Sequence, residues 1–394
     1  MSRPLDGVLV ADFSRVLAGP LATMTLADLG ATVIKVERPG LGDDTRTWGP
    51  PWSGDSATYF QSVNRSKRSI TLDLFDPADR GAAIELARRA DVLVENFKPG
   101  SLERHGLGYG QVAAINPTVI YCSITGFGSG AGADRLGYDF VAQAVGGLMS
   151  ITGEKAGEPT KAGVAVVDVL TGKDATIGIL AALSDRQRSG RGCRIEVNLL
   201  SSLLASLVNQ AQGFLETGTV PGRLGNQHPS IAPYETLRSR DGLIVVACGN
   251  DPQFARLVAV LGRPELAQDE RLSTNAARVG NRQVLIDVLE ELLAAADSAT
   301  WEDRLNAADV PAGRVGDIAD AFALAERLGL EPTWPGTAGG TPQVRHPVTY
   351  SNDLVRPPEP PPTLGADQAV IRAWLSEPHG LPPTPAAPAG EVLS

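Results

Sequence analysis

An aspartate at the start of a predicted helix is the residue whose type and position point most directly to chemistry. Asp168 follows the apolar run 162–167 and precedes apolar residues at three- and four-residue intervals, as an amphipathic helix requires. The unpaired N–H groups and the dipole at a helix start favour an ionised carboxylate. Such a carboxylate can act as a nucleophile. The position is also typical of a helix N-cap, and the local sequence leaves both interpretations open.

Composition argues against several other kinds of site. The chain of 394 residues carries a formal net charge of −10, which disfavours nucleic acid as a partner. Its four histidines have no ligand-like spacing and its three cysteines lie far apart, so a metal site and a histidine-based triad both lack support. Neither the dinucleotide fingerprint nor the phosphate-binding lysine loop is present. We therefore expect no metal and no permanently bound cofactor.

The apolar content is typical of a globular protein. Hydrophobic residues make up 43% of the chain, and no apolar run reaches the roughly 20 residues of a membrane span. The first residues lead into a strand pattern and lack the apolar core of a signal peptide. Widely spaced cysteines are typical of reduced thiols. We expect a cytoplasmic protein with no membrane partner.

Strand and helix patterns alternate through the first 125 residues. The strand patterns lie at 7–13, 31–37, 70–74, 91–96 and 119–124. Helix patterns lie between them, including one that Asp76 and Pro77 open as cap and first-turn proline. This order predicts an α/β fold with a Rossmann-like large domain and an open parallel sheet. Ligands then bind at the carboxyl ends of the strands.

A second, smaller α+β domain is predicted after a long apolar helix at 199–216. Its first sign is a hairpin signal at Asp241–Gly242 between two strand patterns. The expected boundaries are 1–200 for the large domain, 201–224 for a linker helix, 225–330 for the small domain, 331–375 for a return to the large domain and 376–394 for a disordered proline-rich tail.

Six segments carry motifs whose order is more specific than any one of them. They are Asp-Phe-Ser-Arg-Val-Leu-Ala-Gly-Pro (12–20), Leu-Gly-Ala-Thr-Val-Ile-Lys-Val-Glu-Arg-Pro-Gly (29–40), Asn-Arg-Ser-Lys-Arg-Ser-Ile-Thr-Leu-Asp-Leu (64–74), Val-Glu-Asn-Phe-Lys-Pro-Gly (94–100), Gly-Tyr-Asp (137–139) and the Asp168 segment leading to 190–192. Together they resemble the family III CoA transferases (the CaiB/BaiF family). The resemblance places Asp168 at the nucleophile and implies an interlocked homodimer. It also makes coenzyme A or acyl-CoA a substrate rather than a bound cofactor.

The resemblance implies a covalent mechanism. Asp168 would attack the thioester of an acyl-CoA donor, and an aspartyl-CoA thioester would then pass CoA to a free carboxylic acid. Segments 42–51, 198–202 and 228–234 look like the branch that uses succinyl-CoA as donor and dicarboxylates such as glutarate or hydroxymethylglutarate as acceptors. Arg15 or Arg46 would pair with the free carboxylate of such an acceptor, although a surface role for Arg46 fits equally well.

The same resemblance assigns the remaining site residues. Asp139 is expected near the nucleophile, Val16 and Ala18 would contact CoA through their backbone, and Arg38 and Arg104 would meet its phosphates. The other implied CoA contacts are Leu72 to Phe75, Asn96, Phe97, Lys98 and Arg135 to Tyr138, while Trp48 and Tyr59 would wall the acyl pocket. Phe75 departs from the pattern, because some relatives carry a lysine there.

An α-methylacyl-CoA racemase is the alternative within the same superfamily. Those enzymes resemble this chain in fold but use a histidine followed by an aspartate for proton transfer. The equivalent dipeptide here is Tyr138–Asp139, and the nearest histidine, His105, lies far upstream. A binding protein without catalysis is a third possibility, which the intact Asp168 segment opposes.

Overall fold

The chain folds into two compact units. The computed structural model describes residues 3–336, 341–355 and 357–377. Within these residues the first unit comprises the chain up to 148, residues 162–218 and the part from 331 onward, and the second comprises 149–161 and 219–330. Segment 149–161, expected in the large domain, therefore groups with the second unit. Most of the tail expected to be disordered, residues 378–394, lies outside the described residues.

The strands and helices of the described residues have the following bounds. The strands are β1 (Leu9–Asp12), β2 (Thr32–Glu37), β3 (Trp52–Ser53), β4 (Ser56–Ala57), β5 (Lys67–Thr71), β6 (Val92–Glu95), β7 (Ile120–Thr125), β8 (Cys193–Asn198), β9 (Tyr234–Arg238), β10 (Leu243–Ala247), β11 (Ala312–Arg314), β12 (Thr333–Trp334) and β13 (Gln343–Val344). The α-helices are α1 (Ala18–Asp28), α2 (Thr58–Val63), α3 (Pro77–Arg89), α4 (Tyr109–Ile115), α5 (Asp139–Val145), α6 (Leu148–Ile151), α7 (Val166–Ser189), α8 (Leu199–Ser206), α9 (Val208–Thr217), α10 (Asp251–Val260), α11 (Asn275–Gly280), α12 (Arg282–Leu293), α13 (Ser298–Ala307), α14 (Ile318–Arg327) and α15 (Gln368–Ser376). Short 3-10 helices lie at Asp44–Thr47, Glu103–His105 and Pro264–Gln268.

A six-stranded parallel sheet forms the centre of the first unit. Its order is β5-β2-β1-β6-β7-β8, and every neighbouring pair is parallel. The chain runs outward from β1 to β5, then returns to β6 and runs outward in the other direction. This Rossmann-like order places the topological switch point between β1 and β6, where ligands bind in open α/β sheets. The predicted α/β class and the open parallel sheet are confirmed.

Both faces of this sheet are buried, which explains its continuous apolar strands. Val10 and Val94 belong to the core cluster that contains residues of α1 and α7. The neighbouring strand residues Leu9 and Leu93 belong to the cluster that contains residues of α3 and α15. Because side chains alternate along a strand, each helix layer has its own core.

Asp76 caps α3 as expected, because its Oδ1 accepts from the N–H of Ala78 at 2.8 Å.

The C-terminal return covers the free edge of β5. The Oδ2 of Asp367 accepts from the N–H of Ser69 at 3.0 Å, and the Oε1 of Gln368 accepts from the N–H of Thr71 at 2.8 Å. These side chains stand at the start of α15 and satisfy donors that would otherwise face solvent or another chain.

Three local features of the first unit differ from the expectations. The strand pattern at 70–74 is observed as β5, which begins and ends three residues earlier, at Lys67–Thr71. The edge strand β8 was not predicted, because Arg194 and Glu196 give it the appearance of a polar turn. The single helix expected at 199–216 is divided into α8 and α9. Val208 at the division has a φ of 37°, which a continuous α-helix does not contain.

The second unit contains a three-stranded antiparallel sheet of order β11-β10-β9. The predicted hairpin is confirmed, since Leu243 pairs with Arg238 across the turn that contains Gly242. Helices α10, α12 and α13 supply core residues against this sheet. In the part of the chain that the structure describes, no helix is long and apolar enough to cross a bilayer.

Candidate active site

A groove of about 370 Å³ lies at the carboxyl ends of β1, β6 and β7. The segments that follow these strands line it, together with the start of α7 and the segment before α5. Its candidate residues from the sequence are Arg15, Val16, Ala18, Asn96, Phe97, Lys98, Arg135, Tyr138 and Asp168. The structure thus brings candidate residues from four separate segments to the switch point of the sheet.

Asp168 lies in the first turn of α7. Ala165 occupies the N-cap position without a side-chain cap bond, so Asp168 is the third helical residue and not the N-cap. The interpretation of Asp168 as a cap alone is therefore wrong. Its side chain is half-buried and contributes to the lining of the groove.

The cap of α7 is supplied by Asp139, the first residue of α5. Its Oδ1 accepts from the N–H of Val167 at 2.7 Å and from the N–H of Asp168 at 3.2 Å. Its Oδ2 accepts from the Nε2 of Gln143 at 2.6 Å. Asp139 is buried, so two neighbouring carboxylates share the start of one helix. Only Asp168 lines the groove, and Asp139 holds the backbone beneath it.

The electrostatics of Asp168 differ from the sequence-based expectation. Burial, and then the negative charge of Asp139, raise the pKa of Asp168 from 3.8 to about 7. We expected the helix start to stabilise the ionised form, but Asp139 accepts from the N–H groups there. Asp168 consequently binds a proton more tightly than a free aspartate, and such perturbed pKa values cluster at functional sites.

Trp48 and Tyr59 form one aromatic pair, with ring centroids 5.4 Å apart at an angle of 78°. Burial raises the pKa of Tyr59 to about 12, and the charges of Asp168 and Asp139 contribute. The tyrosine hydroxyl therefore keeps its proton and lies within the field of both carboxylates. Neither ring lines the 370 Å³ groove itself.

The loops after β1 and β6 are joined through the side chain of Asn96. Its Oδ1 accepts from the N–H of Arg15 at 2.8 Å, and its Nδ2 donates to the carbonyl of Arg15 at 2.7 Å. The guanidinium of Arg15 lies 5.1 Å from the ring centroid of Phe97 and pairs with Asp44 at 3.0 Å. Arg15 is thus fixed at its backbone while its guanidinium stays partly exposed.

A second cavity of about 230 Å³ shares Arg15 and Phe97 with the groove. The candidate CoA contacts Arg38, Leu72 and Phe75 line it. Arg38 pairs with the same Asp44 that pairs with Arg15, at 2.7 Å. These expected contacts are therefore gathered around one small cavity.

The other candidate cations occupy different positions. Lys98 and Arg135 line the groove; Lys98 pairs with Asp134 at 2.8 Å, and Arg135 lies over the ring of Phe127 at 4.9 Å. Arg104 is exposed and lines neither cavity. Its expected contact with a phosphate has no geometric support here.

Arg46 lines neither cavity. Its Nε and Nη2 donate to the two carboxylate oxygens of Glu37, each at 2.8 Å, and its guanidinium lies 3.7 Å from the ring centroid of Phe60. This buried bidentate pair occupies Nε and Nη2 and favours a structural role for Arg46 over a contact with an acceptor acid.

Sequence reasoning missed three polar residues around the groove: Asp43, Asp44 and Gln143. Gln143 is fully buried and joins Asp139 to the N–H of Ala162, which its Oε1 accepts at 2.9 Å. Asp43 and Asp44 lie in segment 42–51, from which the sequence analysis drew only a resemblance in substrate type. The two aspartates follow β2 only after residues 38–42, so no pattern in the sequence indicated their contacts.

A groove with a carboxyl and several cations at the switch point of a Rossmann-like sheet is typical of α/β proteins that bind an anionic ligand there. The family model described as "CoA-transferase family III" matches residues 5–368. The chain belongs to this family and is a CoA-transferase.

Named relatives agree with the family. The chain is 44% identical over 367 residues to succinyl-CoA:glutarate CoA-transferase of Mus musculus, covering 92% of this chain and 84% of the relative. It is 44% identical over 387 residues to succinate–glutarate CoA-transferase of Agrobacterium fabrum, covering 94% and 96%. A crystal structure of a CAIB/BAIF family protein from Brucella suis matches with a TM-score of 0.86 and 45% identity, covering 95% of this chain and 100% of that one.

Proposed function

We propose that this enzyme moves CoA from succinyl-CoA to a dicarboxylic acid through an aspartyl-CoA thioester on Asp168. The observation that carries the proposal is the position of a half-buried carboxyl, with a pKa near 7, in a groove that cations line. The similarity to CoA-transferases whose names specify succinyl-CoA and glutarate supports the substrate pair.

The proposed steps use one side chain. The Asp168 carboxylate attacks the thioester carbonyl of the donor, releasing CoA thiolate and forming a mixed anhydride. The thiolate attacks the aspartyl carbonyl of this anhydride, which forms the aspartyl-CoA thioester and releases succinate. The acceptor carboxylate then attacks this thioester, and the released thiolate takes the acceptor acyl group and restores the Asp168 carboxylate. The covalent relay through Asp168 divides one difficult acyl exchange into easier steps. The proposed mechanism requires no metal or other cofactor.

The geometry supports distinct roles around the nucleophile. Arg15, Lys98 and Arg135 bring positive charge to the groove, for the second carboxylate of the acids and the phosphates of CoA. Arg38 and Leu72 in the second cavity are assigned to the nucleotide end of CoA. The remaining proposed contacts with CoA are the backbone of Val16 and Ala18 and the side chains of Asn96, Phe97 and Tyr138.

The test is to look for the covalent intermediate. Enzyme incubated with succinyl-CoA and quenched should carry CoA on the peptide that contains Asp168, and hydroxylamine should convert this residue to a hydroxamate detectable by mass spectrometry. Asp168→Ala should lose both the adduct and the transfer activity. Asp174→Ala, an exposed aspartate of the same helix, is the matched control and should retain both. An Asp168→Ala variant that still transfers CoA at the wild-type rate contradicts the proposal.

The racemase alternative receives no support from the groove. Among the described residues, no histidine lines the groove with Asp168. His105 lies instead in the second cavity, with its Nδ1 3.0 Å from the carbonyl oxygen of Leu74. The two reactions are distinguished by adding a free acid and a 2-methylacyl-CoA deuterated at the α-carbon. CoA on the free acid supports transfer, and loss of deuterium without transfer supports racemisation.

We further propose an interlocked homodimer in a reducing compartment such as the cytoplasm. The dimer is supported by large apolar side chains that are exposed on α5 and α9, namely Phe140, Val141, Val145, Phe214 and Leu215. The compartment is supported by three free cysteines. Light scattering after size-exclusion chromatography should give twice the chain mass, and a monomer at micromolar concentration refutes the dimer.

A further inference from the structure

The segment that faces Asp168 contains a residue in an unfavourable backbone conformation. Val16 has a φ of 69°, in the left-handed region, between β1 and α1. A β-branched residue rarely adopts this region, since its side chain meets the backbone there. Val16, Leu17 and Ala18 line the groove together with Asp168. Interactions elsewhere must therefore hold Val16 in place.

The Asp43 carboxylate supplies the contact to Val16. The N–H of Val16 is 3.3 Å from Oδ1 and 3.3 Å from Oδ2 of Asp43, so one donor is shared by both oxygens. The Oδ1 also accepts from the N–H and the hydroxyl of Thr45, at 3.0 and 2.8 Å. Asp43 is fully buried, and its carboxylate therefore has a fixed orientation.

Lys35 on β2 fixes this carboxylate from the other side. Its Nζ is 2.8 Å from the Oδ2 of Asp43 and donates to the carbonyl of Ser14 at 2.9 Å. Both side chains are 0% exposed. Burial alone would raise the pKa of Asp43, but the charge and the hydrogen bond of Lys35 hold this pKa below its ordinary value. The lysine thus contacts the loop both directly and through Asp43.

The same buried network carries balanced charges. Asp12 pairs with Lys67 at 2.9 Å and Glu37 pairs with Arg46 at 2.8 Å, beside the pair formed by Lys35. Buried ion pairs are costly in stability, and apolar residues often replace them without loss. Lys35, Glu37 and Asp43 of this network line the second cavity, which shares Arg15 with the groove. The network is therefore explained better by the orientation that it imposes than by stability.

We propose that Asp43, oriented by Lys35, is a positioning residue that holds Val16 in its left-handed conformation and so shapes the groove beside Asp168. The inference rests on the proposed function for its consequence in catalysis. It concerns no new ligand and no direct contact with substrate: Asp43 acts through Val16.

The first test is rescue by glycine. Asp43→Asn should lower kcat by about 10- to 100-fold, the order expected when reacting groups are displaced by about 1 Å, with a smaller change in KM for succinyl-CoA. Glycine adopts the left-handed region without strain. In a Val16→Gly background, Asp43→Asn should therefore lower kcat by less than threefold. An equal loss in both backgrounds overturns the proposal.

Two controls separate positioning from a general effect of buried charge. Lys35→Met/Asp43→Asn removes one positive and one negative charge, and it should stay impaired; recovery to the wild-type kcat overturns the proposal. Arg65→Met breaks another buried pair, with Asp28 at 2.6 Å, that makes no contact with the loop. It should lower the unfolding temperature while kcat is kept, and a loss of kcat equal to that of Asp43→Asn also overturns the proposal.

A last measurement does not depend on catalysis. Hydrogen exchange of the peptide 13–19 should be faster in Asp43→Asn than in wild type and unchanged in Arg65→Met. Unchanged exchange in Asp43→Asn refutes the role of Asp43 whatever the enzyme does. If exchange is faster in Asp43→Asn than in wild type, but the wild-type enzyme transfers no CoA, the proposed function fails and the positioning of Val16 stands.

Discussion

Replacing Asp168 by asparagine should stabilise the protein at alkaline pH. In the folded state burial and the charge of Asp139 raise the pKa of Asp168 from 3.8 to about 7. A raised pKa means that the folded state binds the proton more tightly than the unfolded chain. The stability that this proton contributes is fully present below pH 3.8 and is lost as the pH rises through about 7.

The size of the effect follows from the two pKa values. A difference of about three pH units corresponds to about 4 kcal/mol between the protonated and the ionised folded state. Between pH 5 and pH 8 the wild type should lose about 2.5 kcal/mol of its unfolding free energy through this one group. Asp168→Asn keeps the shape of the side chain and cannot ionise, so it should lose none of this amount.

Urea denaturation of both proteins at equal concentration measures the difference. The advantage of Asp168→Asn over wild type should grow by about 2.5 kcal/mol from pH 5 to pH 8. Asp174→Asn, exposed on the same helix, should show no such growth. If the advantage of Asp168→Asn is the same at both pH values, the carboxyl at position 168 is not destabilised by its surroundings and the electrostatic argument fails.

Three further changes test other parts of the site. Asp139→Asn removes the neighbouring negative charge and should move the rise of kcat/KM with pH to lower pH; a pH–rate profile that does not move contradicts the coupling to Asp168. Asn96→Ala removes both hydrogen bonds to the backbone of Arg15 and should raise KM for succinyl-CoA about tenfold; an unchanged KM shows that the loop holds its shape without them. Asp76→Ala removes the cap of α3 and should lower the unfolding free energy by about 1 kcal/mol at unchanged kcat, whereas a lower kcat places this helix in the catalytic machinery.

Much of the first unit was predictable because its strands are buried on both faces. A strand with two buried faces is a continuous apolar run, and such runs identified β1, β2, β6 and β7 with bounds close to those observed. The strand β8 was missed since it lies at the edge of the sheet, where Arg194 and Glu196 are exposed and the apolar run disappears.

The site was predictable in position but not in its internal contacts. The family resemblance implied one CoA site for Asp168 and the loop after β1, and both line the same groove. The role of Arg46 could not be deduced, because the direction of a side chain depends on the packing of α2 and β2 around it. Lys35 was assigned to a buried strand, yet its partner Asp43 follows only after a turn whose path no pattern specifies.

The contacts of Asp367 and Gln368 with β5 have a consequence during synthesis. The edge of the sheet is completed by residues that lie 298 and 297 positions after Ser69 and Thr71 in the chain, so a nascent chain presents an uncovered strand until these residues have been synthesised. A chain that stops before residue 367 should therefore associate through β5 rather than remain dispersed. Completion of this sheet therefore depends on α15 as well as on the segments that form its strands.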